Sequence, residues 1–88
     1  KEESIKSLGI SITENKDPKG VKVSKVDNED INLDKGDIII EVNREIVDSI
    51  KTFISIVDKY KKTGRSSLLL KIKRGEEISW ATIKFIHN

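Results

Sequence analysis

The sequence predicts a small α+β domain that is mostly β, with about five strands and one substantial helix. Three observations carry this. Several short stretches alternate apolar and polar residues at period two, the pattern of half-buried strands. A single segment, from Ile50 to Tyr60, repeats apolar residues at helical spacing. Glycine and asparagine fall between the alternating stretches, where tight turns need left-handed backbone.

The chain is organised around Leu33 to Asn43, continuing through Arg44-Glu45 to Ile46-Val47. This reads as a turn at Gly36, a strand, a reversal at Asn43-Arg44-Glu45 and a short strand. Period two puts Ile38, Ile40 and Val42 on one face and Asp37, Ile39 and Glu41 on the other. Taken in order, Lys1–Lys6 is charged apart from Ser4 and Ile5 and reads as a frayed lead-in. Ile10 and Ile12 alternate with Ser11 and Thr13 in a strand, and Gly9 before them marks a special backbone angle or a close approach. Asn15, Asp17-Pro18 and Gly20 mark a loop. Val21 and Val23 face inward on the next strand, and Ile31 and Leu33 add apolar contacts after a polar link. That link, Asp27-Asn28-Glu29-Asp30, lacks the glycine and glutamate spacing of a calcium loop and reads as a solvated turn.

Asp48 or Ser49 caps the helix, and Gly64 closes it. Its apolar face spans Ile50, Phe53, Ile54, Ile56 and Val57, wide enough to bury one edge and turn another toward a groove. Leu68, Leu70 and Ile72 then mark a strand, Gly75-Glu76-Glu77 a hairpin turn, and Ile78–Ile86 the return strand. Ala81, Ile83 and Phe85 share one face of it; Trp80, Thr82 and Lys84 share the other.

With 88 residues the chain is one domain, 1–88, able to bury a single modest core. It contains no cysteine, which excludes disulfides and thiolate metal sites. Lys and Arg number 17 against 15 Asp and Glu, a formal +2, so nucleic acid is not an expected partner. The densest basic cluster, Lys59, Lys61, Lys62 and Arg65, sits where cations complement a helix end. No apolar run approaches the ~20 residues that span a bilayer, so direct membrane insertion is not expected. The first residue is not Met, and the chain reads as a domain excised from a longer protein.

Nothing here assembles a catalytic site, a metal set or a cofactor loop. The one histidine, His87, has no cysteine to partner it and reads as a solvated tail residue. The serines lie outside a nucleophile elbow and the glycines are isolated. The expectation is a binding or regulatory module without catalytic residues, metal or cofactor. Its surface follows from two features. The Leu8-Gly9-Ile10 strand has few evident neighbours on one side and reads as an open edge, and the helix has surplus apolar width. A groove between a strand edge and an apolar helix flank takes an extended peptide by strand addition, and a turn carrying Gly9 can aim backbone N–H groups at a carboxylate.

These residues resemble a PDZ domain in the strand order of the HtrA/Deg serine proteases. Leu33–Val47 is similar to that family's Leu-x-x-Gly-Asp strand and turn, Ser7-Leu8-Gly9-Ile10 to its carboxylate-binding loop, and the Ser49–Lys62 helix with Gly64 to its groove helix. Arg74-Gly75-Glu76 resembles the late hairpin. The resemblance runs from about Lys6 to Phe85. It departs at Asn32, where the family has glycine, at Asn43-Arg44, where it has Asn-Gly, and in the short polar link that replaces an Ala-rich helix.

The resemblance implies a partly open five- to six-stranded antiparallel barrel with one major helix. It also implies roles. Ser7, Leu8, Gly9 and Ile10 form the loop, with the Leu8, Gly9 and Ile10 N–H groups offered to a peptide's terminal carboxylate. Ile10, Ser11 and Ile12 pair with the peptide strand, and Ile50, Ile54 and Val57 line its side-chain pocket while Phe53 points to the core. Plain core packing remains the alternative at each position. Ile50 stands where many eukaryotic PDZ helices carry histidine, which implies a preference for apolar C-terminal residues. The implied partners are peptide C-termini, unfolded segments and neighbouring domains of a serine protease, in a periplasmic, otherwise exported or organellar compartment. The chain's end soon after the last strand suggests the second, C-terminal PDZ. The other function left open is an assembly module that docks on a neighbouring domain or subunit without taking free peptide.

Overall fold

The computed structural model describes residues 1–86, so His87 lies outside the described residues. The alternating stretches pair throughout as antiparallel neighbours. Among the described residues the strands are β1 (Glu3–Ile5), β2 (Ile10–Lys16), β3 (Lys19–Val26), β4 (Ile38–Val42), β5 (Glu45–Ile46), β6 (Ser67–Arg74) and β7 (Glu77–Lys84); the helix is α1 (Ile50–Lys62). They form one seven-stranded sheet in the order β1-β2-β3-β4-β6-β7, with β5 hanging on β4. The sheet is not closed, an open PDZ-like α+β arrangement with more strands than the expected five or six.

The strands curl around a core of Leu8, Ile10, Ile12, Val21, Val23, Leu33, Ile39, Val42, Leu68, Leu70, Ile72 and Ile83, into which α1 presses Phe53, Ile56 and Val57. Ala81, Ile83 and Phe85 point inward as their spacing predicts, and Trp80 stays half exposed on the outer face beneath Lys71. Asn43 and Arg44 both take positive φ, 49° and 69°, which closes the β4–β5 hairpin. The expected Asn15–Gly20 loop shrinks to a turn at Asp17-Pro18, whose peptide bond is cis.

The inward face of β4 is not the one that strict alternation predicts. Ile39 and Val42 are fully buried, whereas Ile38 and Ile40 are half-buried. The β4–β6 register shifts between Ile39 and Glu41. A bulge there adds one residue to β4 and changes the phase of the period. Ser11, expected outward, is also buried, because β2 is flanked on both edges where Ser4 and Lys25 pair with it.

The lead-in is the larger correction. Glu3, Ser4 and Ile5 are paired strand, facing Ile12, Ser11 and Ile10 of β2. Ile5 is the reason: it is the apolar side chain of this segment and only 8% exposed. Burying it contributes about 2 kcal/mol, while fixing three residues of backbone costs about 1–2 kcal/mol each. The ladder bonds to Ile12, Ser11 and Ile10 offset the remainder.

Candidate functional site

The site is built from the turn between β1 and β2, the edge of β2 and one flank of α1. Gly9 takes φ +72°, and a Cβ there would meet Asn28 Cβ at 2.8 Å and Ile86 Cδ1 at 2.9 Å. Only glycine satisfies both the angle and the space. The turn is tied down from outside, because Ile86 N–H donates to the Ser7 carbonyl (2.7 Å) and Asp27 N–H donates to the Gly9 carbonyl (2.8 Å). Inside the turn, the N–H groups of Leu8 and Gly9 both donate to the carbonyl oxygen of Ile5, at 3.0 and 2.9 Å.

The helix starts at an N-cap, where the Ser49 side chain accepts from Thr52 N–H at 3.1 Å. Ile50 N–H donates to Glu14 Oε1 at 3.2 Å, which sets the start of α1 beside the far end of β2. One turn and more along, Ile54, Val57 and Lys61 face Ser4, Ile5 and Ser7 across a cleft of about 230 Å³. The helix therefore runs antiparallel to β2 and parallel to β1, and β1 lies along the edge of β2 that turns toward the helix. The space left is below the roughly 300 Å³ at which ligand pockets begin.

The predicted residues divide accordingly. Ser7, Ile54 and Val57 come together in this cleft. Leu8, Ile10 and Ile12 are fully buried core residues, and Ser11 is buried with them. Gly9 shapes the turn, and half-buried Ile50 packs on the core at the helix start without lining the cleft. The open edge expected at Leu8–Ile10 is covered, because β1 pairs with it. Sequence reasoning missed Ser4, Ile5 and Lys61. The signal was one apolar residue in a charged segment, a hairpin's distance before Ile10 with Gly9 in between.

A second charged cluster joins α1 to β5. Lys59 and Tyr60 on α1 both bond Glu45 on β5; the Lys59 hydrogen bond, then that of Tyr60, holds the Glu45 carboxyl below its ordinary value. The same contact to Glu45 raises both Lys59 and Tyr60. Among the described residues, no three His, Cys, Asp or Glu side chains gather where they could hold a metal ion.

An antiparallel sheet with one groove helix and a glycine turn whose amides meet a carbonyl defines the class: a PDZ-like domain. No family model matches the chain. It is similar to a probable periplasmic serine endoprotease, DegP-like, of Rhizobium meliloti, 34% identical over 79 residues, which cover 85% of this chain and 16% of that protein. A protein of the same description from Brucella suis is 28% identical over 79 residues, covering 85% of the chain and 15% of the relative. The chain thus spans about a sixth of the length of the curated relatives it matches. The similarity is to a PDZ-sized segment of HtrA/Deg proteases, and the fold is PDZ-like.

Proposed function

We propose that this domain binds extended or C-terminal apolar peptide segments by strand addition to β2, and that it serves substrate recognition or regulation in an HtrA-type serine protease. The observation that carries this is the seating of Glu3–Ile5. An extended segment already lies antiparallel on β2, with its last carbonyl in the Leu8 and Gly9 amides and its apolar side chain toward Ile54 and Val57. Strand addition uses these contacts: backbone bonds for affinity and one apolar seat for selection. The domain holds no catalytic group on this reading, and proteolysis belongs to the rest of the protein. The compartment is periplasmic or otherwise exported, in keeping with relatives named as periplasmic.

A specific observation also favours the assembly reading. The segment on the edge is the chain's own, as in a module that docks on neighbouring polypeptide. Titration with C-terminal peptides, followed by backbone NMR, separates the two. Peptide capture moves the resonances of Gly9–Ile12 and Ile50–Val57. No movement at millimolar peptide leaves the assembly module. A peptide array completes the test: apolar C-terminal residues are the expected selection, and a set ending in polar or charged residues contradicts an apolar seat beside Ile54 and Val57.

A further inference from the structure

We infer that Glu3–Ile5 is a tethered occupant of the peptide groove, which an incoming peptide must displace, and that it mirrors the ligand the groove takes. This rests on the peptide-binding reading and deepens it. Three independent contacts coincide on these residues. The backbone of β1 pairs with Ile10, Ser11 and Ile12, the edge expected to receive a peptide. The Ile5 carbonyl takes both loop amides, Leu8 and Gly9, so neither is free for another acceptor. The Ile5 side chain is buried and lines the cleft together with Ile54 and Val57, so the apolar seat beside α1 is already taken. The groove cannot hold β1 and a peptide together.

The occupant also describes the ligand. A segment that fits ends in a β-branched apolar residue, has a small polar residue before it, and presents an oxygen acceptor to the two amides. A terminal carboxylate offers that acceptor with a charge, and charge-assisted hydrogen bonds are about twice as strong as neutral ones. The chain's first five residues, Lys-Glu-Glu-Ser-Ile, supply such a sequence once the peptide ends at the isoleucine. The apparent affinity for an external peptide falls by the fraction of molecules in which β1 is open. Occupancy of β1 therefore sets the response of the groove without any change in the groove itself.

The test uses the 88-residue chain and the synthetic peptide Lys-Glu-Glu-Ser-Ile, as free acid and as C-terminal amide. Ser4 and Ser11 are directly opposed across the β1–β2 ladder, and opposed antiparallel residues lie within disulfide reach. In Ser4→Cys/Ser11→Cys the oxidised form holds β1 shut and the reduced form frees it, in one protein with one fold. Ile5→Asp is the second variant, opening the groove by placing a charge in the apolar seat. Calorimetric titration is expected to find the reduced form binding at least tenfold tighter than the oxidised, Ile5→Asp tighter than wild type by about tenfold if β1 is open a tenth of the time, and the acid tighter than the amide. Equal binding by oxidised and reduced forms overturns the tethered occupant and leaves peptide binding standing. No binding by the reduced form and by a folded Ile5→Asp overturns peptide binding, and the occupant with it. Should Ile5→Asp not fold, the redox pair decides alone.

Discussion

Asp37 is the buried charge of this domain, 2% exposed and enclosed by its own turn. Its carboxylate accepts Asp34 N–H at 2.8 Å and two Arg74 donors, Nε at 2.9 Å and Nη2 at 2.7 Å. Burial works to raise its pKa, but the Arg74 hydrogen bonds, the Asp34 amide and the Arg74 charge together outweigh it, and the net shift is downward. A lowered folded pKa stabilises the protein above the ordinary aspartate value of 3.8, and that stability is lost as pH falls through the lower folded value. Arg74→Ala leaves the carboxylate short of partners. Because Arg74 is half exposed, the expected result is a modest loss of stability at neutral pH. Denaturant melts of wild type and variant should converge as pH drops below 3.8; a constant gap would assign the loss to packing. In the sequence Asp37 reads as a strand residue on the face with Ile39 and Glu41, and its ion pair is invisible, since Arg74 lies 37 positions away and no local period connects them.

At the scale of elements, α1 was legible because its signals are local: a Ser49 cap, a period of 3.6 and Gly64 at φ +82° after the Thr63 cap. Ser49→Ala should cost about 1 kcal/mol, measured by thermal melting, as the Thr52 amide loses its acceptor. Strand β4 was legible as a strand but not in its facing, because a bulge is set by the partner's register and leaves no mark in the alternation. Strand β1 was hidden for a different reason. Three residues with one apolar side chain give no period, and its pairing follows from the edge that β2 offers.

Across the whole molecule, the order of strands and the helix could be read from pattern and resemblance, whereas the state of the groove could not. Occupancy is a competition between segments, and sequence shows each segment alone. The sheet itself has a narrow seam. β3 meets β4 through Val21–Ile39 and Lys22–Ile38, against the longer ladders on either side. Gly20 sits at that seam, where a Cβ would run into the Ile39 carbonyl oxygen. Gly20→Ala must push the two strands apart, because the obstacle is backbone. The expected loss is about 3 kcal/mol, with amide exchange accelerating first in β3 and β4; protection unchanged there would show that the seam yields elsewhere.

The turn from Lys6 to Gly9 has a last consequence. It joins occupant to groove through four residues, so β1 meets its site at an effective concentration on the order of millimolar whatever the amount of protein in solution. Dilution cannot open the groove. On the reading proposed above, a peptide meets a competitor of fixed strength, so its binding curve keeps its shape and shifts to higher concentration by the fraction of molecules in which β1 is open.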